Sequence, residues 1–234
     1  MISRSNTRLF IIENNSYRAR KGLKKQFKRK IYLAFEGLIT EPNYFKEVKP
    51  KLQERSNTVV DVILLNRSKK DGKSHPYHVR DGMLEFYDKN NRYIDKKDGL
   101  WIVIDIDRHF GTSETEKKSC YQDFLNSLKS VGGKEILAAV SMPCFELWLI
   151  LHYQDLDNLD LKKIKANAKI GSKNTYPKKL LKELRDGNVD KGYYLGIDDA
   201  IKRAKSSKLE SQVDKLYSKT GTLVCQLIED ILSS

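Results

Sequence analysis

Short apolar runs alternate with amphipathic stretches over the first two thirds of the chain. Ile31–Phe35, Val59–Leu65, Leu100–Asp105 and Ile136–Val140 have the length and the β-branched and aromatic content of buried strands. Helical spacing lies between them. Thr40 starts the first helix, with Pro42 tolerated in its first turn and Tyr44, Phe45 and Val48 on its buried face. After a polar loop from Asn66 to Ser74, a second helix runs from about Pro76 to Lys89. Asp98-Gly99 turns the chain into the third strand, and residues 106–115 form an exposed loop. A third helix covers Glu116–Ser130 and stops at Gly132-Gly133. Pro143 opens a fourth, which carries Phe145, Leu147, Trp148 and Leu151. The order β-α-β-α-β-α-β-α predicts an α/β fold, a mostly parallel sheet with helices on both faces. Beyond Tyr153 the pattern is helical only, at roughly 158–169, 175–186, 196–208 and 220–233. Leu223, Leu227, Ile228 and Ile231 make one apolar stripe. The division expected is a basic arm over 1–30, an α/β core over 31–154 and a helical C-terminal subdomain over 155–234. No internal repeat is present.

Charge changes this picture at one end. The 234 residues carry a formal +13, of which residues 1–30 hold +9. Residues 31–154 balance to zero, and 155–234 hold +4. A basic arm can be a solvated extension or a phosphate-backbone contact. Tyr17 and Phe27, set among the charges, favour the contact, since aromatic rings stack on bases. The expected nucleic-acid contacts are Arg18, Arg20, Lys21, Lys24, Lys25, Lys28, Arg29 and Lys30. Three cysteines, far apart and without CxxC spacing, argue against a disulfide framework and a zinc site, and fit a cytoplasmic location. No apolar run approaches a membrane span, and Leu9–Ile12 is too short for a signal-peptide core.

Candidate chemistry sits at two strand ends. The first strand runs into Glu36-Gly37, and the third ends at Asp105-Ile106-Asp107. In a parallel sheet these ends share one edge, where open α/β sheets bind ligands. Acids at i and i+2 on an extended segment point the same way. Two carboxylates about 4 Å apart repel by roughly 4 kcal/mol at an effective dielectric of 20. A divalent cation removes that cost, so Glu36, Asp105 and Asp107 are the expected oxygen ligands of Mg²⁺ or Mn²⁺.

Each acid also has a plain structural reading: Glu36 as a cap or ion-pair partner, Asp105 and Asp107 as helix caps. The pairing of two strand ends favours the metal site. Arg108 can hold a phosphate or merely pair with Asp107, and His109 can give a proton to a leaving oxygen. Glu146, in the first turn after the fourth strand, is either a favourable helix-start acid or a fourth site carboxylate. Cys144 reads as buried, and His75 and His78 are unconvincing as a metal pair without a carboxylate. Gly37 suits a tight strand-to-helix turn. No P-loop or GxGxxG is present.

Three blocks carry a family resemblance: Phe35-Glu36-Gly37-Leu38-Ile39-Thr40-Glu41-Pro42-Asn43-Tyr44-Phe45, Trp101-Ile102-Val103-Ile104-Asp105-Ile106-Asp107-Arg108-His109, and Ser141-Met142-Pro143-Cys144-Phe145-Glu146-Leu147-Trp148-Leu149-Ile150-Leu151-His152. In order and spacing they resemble the RloB-like family of prokaryotic proteins found beside restriction and phage-defence genes. Leu38-Ile39 and Met142 depart from the family's usual residues without touching the expected ligands. The family is related to Toprim domains, whose strand-end Glu and later Asp-x-Asp match Glu36, Asp105 and Asp107. The resemblance implies a Toprim-like core, a role in defence and an ATPase partner, and similar Toprim effectors act as nucleases. Three functions compete: a metal-dependent nuclease, a non-catalytic adaptor that binds nucleic acid or an ATPase, and a topoisomerase- or primase-like enzyme. The last is disfavoured because the chain is short. A regulator or homo-oligomer is expected for a nuclease, with the Leu223–Ile231 stripe as the assembly surface if exposed.

Overall fold

The computed structural model describes residues 10–12, 29–57, 59–67, 75–106, 109–128, 133–171, 174–188 and 192–233. The elements are β1 (Phe10–Ile12), β2 (Arg29–Phe35), α1 (Thr40–Arg55), β3 (Val60–Arg67), α2 (Pro76–Asn90), β4 (Gly99–Asp105), α3 (Glu114–Ser127), β5 (Ile136–Met142) and α4 (Glu146–Ile150). Then follow α5 (Leu161–Ala166), a small ladder of β6 (Lys169–Ile170) with β7 (Asn174–Thr175), α6 (Tyr176–Asp186), α7 (Ile197–Ala204), β8 (Gly221–Thr222) and α8 (Val224–Leu232). The main sheet has the order β1-β3-β2-β4-β5-β8. Its four central strands are parallel, and β1 and β8 close the two edges antiparallel.

The near-continuous apolar strands are buried on both faces, as parallel strands must be. Alternate residues feed two cores. Ile31, Leu33 and Phe35 of β2, with Trp101 and Val103 of β4, face α1, α4 and the C-terminal helices. Tyr32 and Ala34, with Leu100, Ile102 and Ile104, face Val79 and Met83 of α2 and Tyr121 and Phe124 of α3. The sheet thus lies between two helical layers. The C-terminal helices share the first core with β2 and β4, since Leu181, Ile197, Leu227, Ile228 and Ile231 join it. Leu223, Leu227, Ile228 and Ile231 are all buried within the chain. The stripe is spent on the fold, so the condition for its use as an assembly surface is not met.

Local chemistry sets the helix starts. His75 Nδ1 accepts from the Tyr77 N–H ahead of α2, where Pro76 stands at the first helical position. Ser113 accepts from the Glu116 N–H at the start of α3, and the Glu116 carboxylate reaches back to the Thr112 N–H. Those backbone bonds hold the Glu116 carboxyl below its ordinary range.

Two short strands depart from the sequence expectation. Residues after Tyr153 read as helical only, yet β8 pairs Thr222 with Ser141 and Gly221 with Met142. The buried Ser141 and Thr222 hydroxyls bond at 2.9 Å, which satisfies two polar groups inside the sheet edge. β1 lies within the stretch read as a basic arm. At the arm's end, Arg29 and Lys30 belong to β2. The Arg29 guanidinium grips Asp230 of α8 with two bonds, at 2.9 and 3.0 Å, and its Nε donates to the Lys97 carbonyl. Trp101 Nε1 also donates to Asp230, at 2.9 Å. Lys30 Nζ donates to the Tyr93 carbonyl.

Candidate active site

The sheet reverses direction between β2 and β4. From β2 the chain steps outward through α1 to β3; from β4 it steps the other way through α3 to β5. The carboxyl ends of β2 and β4 therefore flank a switch point, the position at which α/β sheets open a crevice. Phe35 pairs with Val103. The Glu36 N–H continues that ladder to the Val103 carbonyl, at 3.0 Å. Glu36 and Asp105 thus end neighbouring strands, and the register brings them together.

Glu36 is buried, and both of its oxygens are engaged. Oε2 accepts the Asp105 backbone N–H at 3.0 Å. Oε1 lies 2.8 Å from His109 Nε2. Asp105 itself is half-buried at the end of β4. Asp107 and Arg108 lie outside the described residues.

Two more carboxylates stand close by. Glu41, in the first turn of α1, is buried, and its Oε1 accepts the Gly37 N–H at 3.1 Å. Burial pushes its carboxyl up to about 7 against the pull of backbone hydrogen bonds, and the charges of Glu146 and Glu36 add to the rise. Glu146 is also buried, with Lys178 Nζ of α6 at 3.8 Å from its Oε1. Burial, with the charges of Glu146 and Asp105, holds the Cys144 thiol well above its ordinary range. Cys144 is therefore a neutral buried thiol rather than a nucleophile. Among the described residues, no three His, Cys, Asp or Glu side chains are grouped to hold a metal ion.

The three motif blocks that converge here coincide with a family model. The model described as "RloB-like protein" matches residues 31–231. The chain belongs to the RloB-like family. No curated protein and no solved structure matches it. The RloB-like span takes in all four parallel strands and the C-terminal helices, so the whole of both cores lies within it.

Of the residues singled out in the sequence, Glu36, Asp105, His109 and Glu146 are brought to one sheet edge. Arg18, Arg20, Lys21, Lys24, Lys25 and Lys28 fall outside the described residues. Two neighbours lie outside the expected site residues. Glu41 was visible as the second acid of the Glu36-Gly-Leu-Ile-Thr-Glu41 turn. Its carboxylate occupies the space where a Cβ on Gly37 would stand, so Gly37 is needed for this close approach. His75 is the other. Its Nε2 lies 3.3 Å from the His109 carbonyl, and the two rings sit 5.2 Å apart. Because Nδ1 accepts from Tyr77, the Nε2–H tautomer satisfies both bonds. Burial lowers the His75 pKa, which favours this neutral form. A loop position 34 residues before His109 carries no local signal of that meeting.

Proposed function

We propose that this RloB-like protein hydrolyses phosphodiester bonds as a nuclease that requires Mg²⁺ or Mn²⁺, in a prokaryotic defence setting with an ATPase partner. The observation that supports it most is the meeting of Glu36, Asp105 and His109 at the switch point of the parallel sheet. The donor chemistry fits a hard divalent cation. The described acids offer only carboxylate oxygens, and Glu41 is forced towards protonation by its buried, acid-rich surroundings. Glu36, Asp105 and Asp107 would hold the ion. When bound, it would supply charge neutralisation and a coordinated water more easily ionised than bulk water.

The chain's own groups would do the rest. The Asp105 N–H fixes the orientation of Glu36. Glu36 in turn fixes His109, whose ring can deliver a proton to the leaving oxygen. Arg108 would pair with the non-bridging phosphate oxygens. The test is incubation of the purified full chain, alone and with its genetic neighbour, with single- and double-stranded DNA and RNA. Cleavage should appear with Mg²⁺ or Mn²⁺, vanish in EDTA, and vanish in Glu36→Gln. Cleavage that survives Glu36→Gln undiminished would rule the site out.

A further inference from the structure

A cleft of about 840 Å³ lies beside the acid cluster. Glu146 stands in its lining, so the cleft and the candidate active site share a residue. One wall is α6. Lys178, Lys182 and Arg185 follow at i, i+4 and i+7, which puts them on one helix face, and all three are exposed. Another part of the lining comes from α1, through Thr40, Asn43, Tyr44 and Glu47. Tyr153 and Tyr193 line the interior, and the Arg185 guanidinium lies over the Tyr193 ring, 5.4 Å from its centroid.

Three acids, Glu47, Glu146 and Asp186, line this cleft with the three basic residues, and Asp186 ends the same α6 wall. Glu146 lies at the end next to the candidate active site. Glu47 is committed to the fold, since its Oε1 accepts the Tyr193 N–H at 2.7 Å. The basic residues form a row along one wall. A row of cations at helical spacing beside aromatic rings is the arrangement that tracks a phosphate backbone and stacks bases. The volume is in the range of compact ligand pockets, room for a short stretch of single strand.

We propose that this cleft holds a single-stranded stretch of nucleic acid, its phosphates on Lys178, Lys182 and Arg185, and feeds it past Glu146 to Glu36 and Asp105. The proposal rests on the nuclease reading for the direction of the strand, but strand binding is measurable without cleavage. Lys178 also links the row to the candidate active site, since its Nζ lies 3.8 Å from Glu146 Oε1.

The experiment uses the full chain carrying Glu36→Gln, in EDTA, with fluorescent 12-nucleotide single strands of DNA and RNA and a duplex of the same sequence. Binding anisotropy over a salt series is compared with and without K178A/K182A/R185A. Lys178 also pairs with buried Glu146 and Arg185 covers Tyr193, so melting is recorded for the triple variant and for K182A, which touches neither partner and should melt level with wild type while lowering the single-strand slope by about 0.7. Loss of three phosphate contacts should reduce the salt slope on single strands by about 2 and weaken binding at least tenfold, with little change on the duplex. An unchanged slope and affinity on single strands would overturn the proposal, as would an equal loss on the duplex. The two readings fail separately. A wild type that cleaves normally while the cleft variant binds normally leaves the nuclease and removes the cleft. A wild type that never cleaves, with strand binding lost in the cleft variant, does the reverse.

Discussion

His109 Nε2 lies 2.8 Å from Glu36 Oε1, across the gap between the ends of β2 and β4. The other Glu36 oxygen takes the Asp105 N–H. Glu36 is therefore fixed from two sides by residues about 70 positions further on, and it cannot turn without breaking one bond. A strand-end carboxylate held this rigidly is preorganised for one geometry, which is what positioning for chemistry requires. An ordinary surface cap needs no second anchor.

The acid cluster should respond to a divalent ion before any substrate is added. Mg²⁺ at about a hundredfold its dissociation constant stabilises a folded protein by about 2.7 kcal/mol if it binds the folded state alone. Melting curves of wild type should shift upward with Mg²⁺ or Mn²⁺, and those of Glu36→Gln, Asp105→Asn and Asp107→Asn should not. In EDTA these variants should melt level with wild type or above it, because each removes a like charge from the cluster. His109→Gln should keep the metal shift and lose cleavage by about 10²- to 10⁴-fold, the usual worth of a positioned proton donor. Loss of the shift in His109→Gln would place the imidazole in ion binding instead.

Glu41 gives the site a pH signature. Its carboxyl is raised to about 7 in the folded chain, by burial first and by Glu146 and Glu36 as well. An acid raised on folding is more easily ionised in the unfolded state. In EDTA, stability should therefore be greatest below about pH 4.5 as far as this group is concerned, and fall as pH rises to 7. The loss should be roughly 2–3 kcal/mol for a shift of this size. Glu41→Gln keeps an acceptor for the Gly37 N–H and cannot ionise. It should flatten the fall and melt higher than wild type at pH 8. Equal slopes in the two proteins between pH 5 and 7 would contradict the assignment.

How much of this was legible depends on range. The four parallel strands and the helices between them were readable because each makes its pattern locally, from apolar runs bounded by Asp98-Gly99, Pro76 or Pro143. Glu36 and Asp105 were readable as a pair because parallel strands must end on one edge. β8 was not readable. Gly221–Thr222 is two residues long and becomes a strand only because β5 offers an open edge and Ser141 a partner hydroxyl. The meeting of His75 with His109, and of Lys178 with Glu146, depends on loop and helix packing between distant segments. Glu41 is the exception, since its acid stood in the turn beside Gly37 and lacked only the distance that ties them.

One glycine should prove intolerant because backbone stands where its Cβ would be. A Cβ on Gly196 would stand 2.6 Å from the His152 carbonyl oxygen and 3.2 Å from its Cα, both of them backbone atoms that cannot swing away. His152 is fully buried; its Nδ1 donates to the Tyr193 carbonyl at 2.8 Å, and its Nε2 accepts from the Tyr44 hydroxyl at 3.3 Å. Gly196→Ala should cost about 1–3 kcal/mol, as overpacking does. Because Tyr193 lines the cleft, the substitution should also weaken single-strand binding. Urea titration and anisotropy on the same preparation check both. A variant as stable as wild type would mean that the Tyr193–Gly196 turn yields more readily than its contacts indicate.

Arg29 and the basic residues that precede it should separate cleanly. Arg29 is anchored to Asp230 by two bonds at the base of β2, and Asp230 also holds Trp101. Arg29→Ala leaves a part-buried carboxylate with one partner fewer, at a cost of about 1–3 kcal/mol. It should not change the salt dependence of nucleic-acid binding. Lys21, Lys24, Lys25 and Lys28 carry the opposite expectation. Their joint replacement by Gln should leave the melting temperature level and reduce the salt slope on single strands by about 3, at roughly 0.7 per phosphate contact. Substitution suits this test better than truncation through residue 30, which would remove the start of β2 and the Asp230 anchor together. A salt slope that moves with Arg29→Ala and not with the four lysines would transfer the phosphate contact from the arm to the foot of the sheet.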